Sequence, residues 1–187
     1  MLEVNFSPFP ELRTLRCRLR QIRPEDAPQV LRLRSDDQVL QYLEREKMQT
    51  LAEAHGFIAL LQQQWQENNA VNWVLCLDPS EEMIGTVAFW RLEKEHYRAE
   101  IGYTLLPEYW GRGLMHEVLQ LVLPYGFKQI GLHSIEANVN PNNTASIRLL
   151  ERNGFVREAY FRENYYFRGK FLDSAVYSLL ESTFVTT

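Results

Sequence analysis

The chain has 187 residues, a net charge of −4, and 45% hydrophobic against 24% charged residues. That length predicts one domain over residues 1–187, and the composition excludes disorder, collagen and a long coiled coil. The acidic balance, with a pI of about 5.6, speaks against a basic nucleic-acid binder, and no apolar run is long enough to span a bilayer.

Cys17 and Cys76 sit within apolar alternation and read as small buried hydrophobes, so no disulfide framework is visible. Met1–Pro10 carries Glu3 and no basic segment, which predicts that it is not a secretory signal; the expected location is the cytoplasm. The basic residues are 16 Arg and 4 Lys, with seven of the arginines between Arg13 and Arg34.

In chain order, Leu15–Ile22 alternates, with Leu15, Cys17 and Leu19 on one face and Arg16, Arg18 and Arg20 on the other. This predicts a half-buried strand with an outward arginine face. Pro24-Glu25-Asp26 opens a helix to about Leu33. Thr50 and Glu53 form a capping box, and Leu51, Ala54, Ile58, Leu61 and Trp65 follow at helical spacing until Asn68-Asn69. Strands are predicted at Val71–Leu77 and Met83–Leu92 around an Asp78-Pro79-Ser80 turn, and at Ala99–Leu105. A glycine turn, Trp110-Gly111-Arg112-Gly113, leads into a helix whose buried face is Leu114, Val118, Leu121, Val122 and Tyr125. Pro124 should kink that helix or end it early. A strand at His133–Asn140, a helix at Asn143–Asn153 closed by Gly154, and strands at Phe155–Tyr165 and Phe171–Leu180 complete the chain. The sum is a mixed α/β sheet of six or seven strands with about four helices.

The strand, glycine turn and helix start spanning Glu100–His116 carry the strongest chemical signal. Unpaired N–H groups and the helix dipole make such a turn a pyrophosphate cradle, glycine permits close approach, and Arg112 adds a charge. A tight turn without a ligand is the plainer reading. The sequence has no GxxxxGK[ST] and no GxGxxG, which excludes a P-loop and a Rossmann site. A second cluster is Asn138, Asn140, Asn142, Asn143 and Ser146; these residues either cap a helix or face a ligand. His55, His96, His116 and His133 have no metal spacing, so no metal is expected.

With these motifs in order, the chain resembles the GNAT acetyltransferases, and within them the ribosomal-protein N-acetyltransferase (Rim) branch. The resemblance rests on the alternating Leu15–Arg20 strand, the Glu-Ile-Gly-Tyr strand at Glu100–Tyr103, Pro107–Gly113, Asn143–Ser146 and Asn153–Phe155, and covers about Thr14 to Leu180. Trp110 and Met115 depart from the family's glycine motif. The resemblance implies a mostly antiparallel sheet splayed between the Ala99–Leu105 and His133–Asn140 strands, with acetyl-CoA in the gap and its pantetheine arm paired to the edge at Tyr103–Leu105.

Direct acetyl transfer to a neutral primary amine is the reaction implied. The cofactor contacts implied are Tyr103, Thr104, Leu105, Trp110, Gly111, Arg112, Gly113, Leu114, Met115, His116, Asn138, Asn143 and Ser146. Glu100 is the candidate base, with a salt-bridged strand glutamate as the alternative. Glu163 is a second base candidate: the resemblance implies that the last hairpin helps form the acceptor site and that a relative's carboxylate aligns with Tyr165, whose strand face Glu163 would share. A backbone N–H near Leu105 is the oxyanion donor. Ser146, or else Tyr177, would protonate the thiolate. His116 could approach a phosphate or simply be solvated. The acceptor, a protein N-terminus or a small-molecule amine, would be set by the loops at Ser35–Gln49 and Arg162–Lys170. Asp36, Asp37, Glu44 and Glu46 in the first loop could attract a cationic amine. The competing readings are a non-catalytic acetyl-CoA sensor and an RNA-contacting protein using Arg16, Arg18 and Arg20. A monomer or a homodimer is expected.

Overall fold

A computed structural model of the chain describes residues 1–184. Eight strands form one open sheet: β1 (Leu12–Arg13), β2 (Cys17–Gln21), β3 (Val71–Leu77), β4 (Met83–Glu93), β5 (Arg98–Leu105), β6 (Ser134–Val139), β7 (Val156–Phe167) and β8 (Lys170–Leu180). Five α-helices flank it: α1 (Ala27–Ser35), α2 (Asp37–Leu40), α3 (Leu51–Gln66), α4 (Leu114–Tyr125) and α5 (Thr144–Arg152). The spatial order is β1-β2-β3-β4-β5-β6-β8-β7. Every junction is antiparallel except β5–β6, which is parallel.

The sheet separates two cores. On one face α4 and α5 pack over Leu19, Trp73, Phe89, Ile135 and Leu179. The N-terminal segment joins them through the buried Leu2 and Phe6. On the other face α1, α2 and α3 bury Val30, Leu33, Val39, Ile58 and Leu61 over Ile22, Val74 and Met83.

Most predicted elements are present, and the differences have physical reasons. The strand count exceeds six or seven because the two-residue β1 pairs with β2, too short a segment for periodicity to reveal. The fifth helix, α2, is a single turn capped by the Asp36 carboxylate, which accepts from the N–H groups of Gln38 and Val39. Leu15 is 92% exposed, because the strand begins only at Cys17. Arg20 is buried rather than outward: its guanidinium makes two bonds to Asp26, 2.8 and 2.7 Å long. The face it occupies is roofed by the helices. Thr50 caps α3 as expected, but the Glu53 carboxylate accepts from the Gln49 N–H, one residue before the cap. Pro124 sits one residue before the end of α4, and a wide π turn over Gly126–Ile130 follows, closed by Gly131 at φ +82°.

Candidate active site

The parallel junction is short. β5 and β6 pair only at Arg98–Ser134, Ala99–Ile135 and Glu100–Glu136, and beyond these three pairs the strands part. Antiparallel alternation decides what the parted edge presents. The Leu106 N–H donates to the Ile84 carbonyl, so the N–H groups of Tyr103 and Leu105 face away from β4, into the opening. The Leu105 carbonyl on this edge accepts from the Trp110 indole N–H at 2.7 Å, which fastens the glycine turn to the end of β5.

In that turn Gly111 and Gly113 have φ of +71° and +74°, and a Cβ at Gly111 would meet nothing within 4 Å. The N–H groups of the first turn of α4, from Leu114 to His116, have no intrahelical acceptor. The Leu114 and Met115 side chains are buried in the core, so the bulk of Met115 does not obstruct the turn. Arg112 is exposed, with its guanidinium 5.4 Å from the centre of the Tyr109 ring.

Arg16 anchors this turn, a role the strand pattern does not reveal. Its Nη1 donates to the Arg112 carbonyl at 3.1 Å, and its Nε pairs with Glu117 at 2.7 Å. Burial works to raise the Glu117 pKa, but hydrogen bonds from Thr14 and Arg16 hold it below the usual carboxylate range. The acid beside the cradle is thereby neutralised by Arg16. Open space over glycine, unpaired donors and a neutralised acid fit a pyrophosphate, and the parted edge fits an extended amide chain.

Glu100 stands at the last β5–β6 pair, 8% exposed. Burial raises its pKa, and Arg91, whose guanidinium lies 3.0 Å away, opposes that rise, as do Arg45 and Arg98. Arg91 is brought there by a bulge in β4 after Trp90, where its own backbone adopts φ +47°. Tyr103 lies on the opposite face of β5, and its hydroxyl meets the Ser146 Oγ of α5 at 2.8 Å, bridging the opening. Burial pushes the Tyr103 phenol up to about 12, against the hydrogen bond from Ser146.

The remaining predicted residues divide. Asn143 caps α5, and its Oδ1 accepts from the Ser146 N–H, so its side chain is spent on the helix. Asn138 is exposed on β6 beyond the last β5 pair. Thr104 turns away from the opening: its hydroxyl bonds Thr86 at 2.9 Å under α1. His116 is half-buried and borders a cleft with Arg152 and Asn153; burial, then Arg152, lowers its pKa. Tyr177 is core, 3% exposed opposite Ala137. Glu163 is exposed on β7, at φ +51° inside a bulge between Phe161 and Tyr165 that breaks the alternation which would have aligned it with Tyr165. The four loop acids are all engaged. Asp36 caps α2, Asp37 pairs with Lys47 at 2.7 Å, Glu44 accepts from Asn140 at 3.0 Å, and Glu46 pairs with Arg168 at 2.6 Å. The last two contacts draw the Ser35–Gln49 loop against the turn after β6 and the β7–β8 hairpin. Among the described residues no cluster of metal ligands occurs, and no helix is long and apolar enough to cross a membrane.

A family model described as an acetyltransferase (GNAT) domain matches residues 16–156. The uncharacterized N-acetyltransferase YoaA of Bacillus subtilis is 38% identical over 92% of this chain and 98% of its own. The alanine N-acetyltransferase of ribosomal protein uS5 from Escherichia coli is 33% identical over 54% of each chain. The crystal structure of a GNAT-family acetyltransferase from Bacillus anthracis superposes with a TM-score of 0.81, at 28% identity, over 92% of this chain and 99% of that one. The parted parallel junction, the glycine turn ahead of α4 and these likenesses agree: the chain belongs to the GNAT acetyltransferase family and is an acyltransferase.

Proposed function

We propose that the protein transfers an acetyl group from acetyl-CoA to a primary amine by direct attack, with Glu100 as the base. The observation that carries this is a buried carboxylate at the point where β5 and β6 part, its pKa raised by burial. Acetyl-CoA supplies the activated acyl carbon. The first-turn N–H groups of α4, with Gly111 and Gly113, hold its pyrophosphate. The N–H groups of Tyr103 and Leu105 pair with its extended arm, and the Leu105 N–H lies where charge on the acyl oxygen can be met.

An amine attacks only when neutral, and a carboxylate kept out of water accepts its proton more readily than an ordinary glutamate does. Arg91 limits how far burial raises that group. Tyr103 keeps its proton at any working pH and, with Ser146, supplies the hydrogen bond to the departing sulfur. Glu163 has no part in this reading.

Thiol release from acetyl-CoA in the presence of an amine panel tests it. The expected result is amine-dependent thiol release, with a matching mass gain on the amine. Tight CoA binding without release on any amine would establish a sensor instead.

A further inference from the structure

A cavity of about 60 Å³ lies between the helices α1–α3 and the β3–β5 face of the sheet. It has room for roughly two water-sized groups at about 30 Å³ each. Most of its wall is aliphatic, from residues such as Ile22, Leu33 and Leu61, and among the described residues no carboxylate side chain lines it.

The polar part of the lining is rich in donors. Arg34, at the end of α1, and Arg45, in the loop that follows, both border the cavity, and among the described residues neither forms an ion pair. Arg45 is exposed at the mouth. Arg34 is half-buried, its guanidinium stacked 4.0 Å from the centre of the Phe57 ring. The buried Asn72 amide nitrogen, on β3 below, has no hydrogen-bond partner. The Thr86 and Thr104 hydroxyls bond each other at 2.9 Å. That bond uses one of their two hydrogens and leaves the other to be donated elsewhere.

The acids that could balance the two arginines are committed elsewhere. Asp36, Asp37, Glu44 and Glu46, in the same loop, each have a partner of their own. Glu100 feels the charge of Arg45 but does not line the cavity. Burial, and then Arg45, pushes Arg34 down to about 10, the behaviour of one cation held beside another. Water fills such a space poorly. Each molecule brings two hydrogens of its own, and the lining offers mainly donors. An anion accepts from all of these groups and offsets the two like charges.

We infer that the cavity binds one small monovalent anion of halide size, received by Arg34, Arg45 and the Asn72 amide. The aliphatic wall favours an ion that sheds its water easily, and the volume excludes a sugar acid or a nucleotide phosphate. The bound ion joins α1, β3 and the Ser35–Gln49 loop. That loop already returns to α1, where the Met48 N–H donates to the Arg34 carbonyl at 3.0 Å. Occupancy steadies the loop that carries Arg45, and with it the charge that reaches Glu100.

Bromide, which is located by its anomalous scattering, is the probe. In crystals of the whole chain soaked in sodium bromide, one ion should sit between Arg34, Arg45 and the Asn72 amide. Ordered water alone at that place overturns the inference. In solution, sodium bromide should raise Tm saturably over sodium gluconate at equal ionic strength, gluconate being too large to enter. The gain should be about 3 °C at roughly ten times Kd. Arg34→Met should abolish it, and Arg45→Gln should move its midpoint to about tenfold more bromide, the size of one charge-assisted contact. Arg45 is exposed, so Arg45→Gln carries the test even where Arg34→Met fails to fold. A gain equal in the two salts, or a midpoint unchanged in Arg45→Gln, overturns the inference.

Discussion

The two faces of the sheet make their sites by different means. On the α4–α5 face the candidate cofactor site is almost all backbone: helix N–H groups, two glycines and a strand edge. On the α1–α3 face the candidate base and its setting are side chains: Glu100, Arg91 and Arg45. Backbone groups tolerate changes of residue as long as the path of the chain survives. Side-chain sites do not, so the first face can stay constant while the second changes what it accepts.

Substitutions that hit one face alone can break that contrast. The largest effect should come from Asp26→Ala on the helix-covered face. Removing Asp26 takes from the buried Arg20 its two short carboxylate bonds, leaving the half-exposed Glu81 carboxylate at 3.5 Å, and should cost about 3 kcal/mol of stability, read by chemical denaturation. CoA affinity measured well below the melting temperature should be unchanged.

Glu100→Gln should lower kcat by about a hundredfold or more with little change in acetyl-CoA affinity. In the native enzyme kcat/KM should fall with acidification through a pKa above the ordinary carboxylate range, because the base works only when ionised. The variant should lose that acidic limb. The stability sign is the reverse of the usual one for an acid. A folded-state pKa raised above the unfolded value favours the fold at low pH, and that advantage is lost as pH rises through the folded pKa. Glu100→Gln should therefore melt no lower than the native protein at neutral pH.

Tyr103→Phe should lower kcat about tenfold and leave KM for the amine unchanged. Combined with Ser146→Ala it should show strong non-additivity, since the two hydroxyls act as one bonded pair. Arg16→Gln should weaken CoA binding only a few-fold, as fits a half-exposed ion pair, with kcat preserved at saturation. A large kcat loss in Arg16→Gln would mean that the cradle and the chemistry are not separable as described.

The same contrast explains what could be read from the sequence. The cradle is contiguous: Pro107 to Gly113 and the start of α4 form one short stretch whose glycine spacing and helix start are visible in the letters. The Asn143 cap and the strands β3 to β5 were legible for the same reason. The α1–α3 face and its loops are assembled from distant segments. Glu44 meets Asn140 across 96 positions, and Arg168 meets Glu46 across 122. No local pattern reports whether an acid in a loop will be free or paired, so the acidic Ser35–Gln49 loop read as a lure for cations when it is in fact a set of clasps. The arginine alternation of β2 misled similarly. Period two separates faces but cannot say whether the polar face meets water or, as at Arg20, a buried carboxylate. Arg91 and Glu163 sit at bulges with positive φ, where alternation itself fails.

The three-pair junction between β5 and β6 also bears on how the protein avoids sticking to itself. A strand edge with free N–H and C=O groups normally invites another chain to add on. Here the open edge of β5 lies at the bottom of a notch, flanked by β6 and bridged by the Tyr103–Ser146 bond. A single extended ligand arm can enter such a notch, whereas a twisted sheet from a second molecule is too broad to follow it in. The gap proposed to receive the ligand arm thus leaves the chain with an unpaired edge that is poorly placed to seed aggregation.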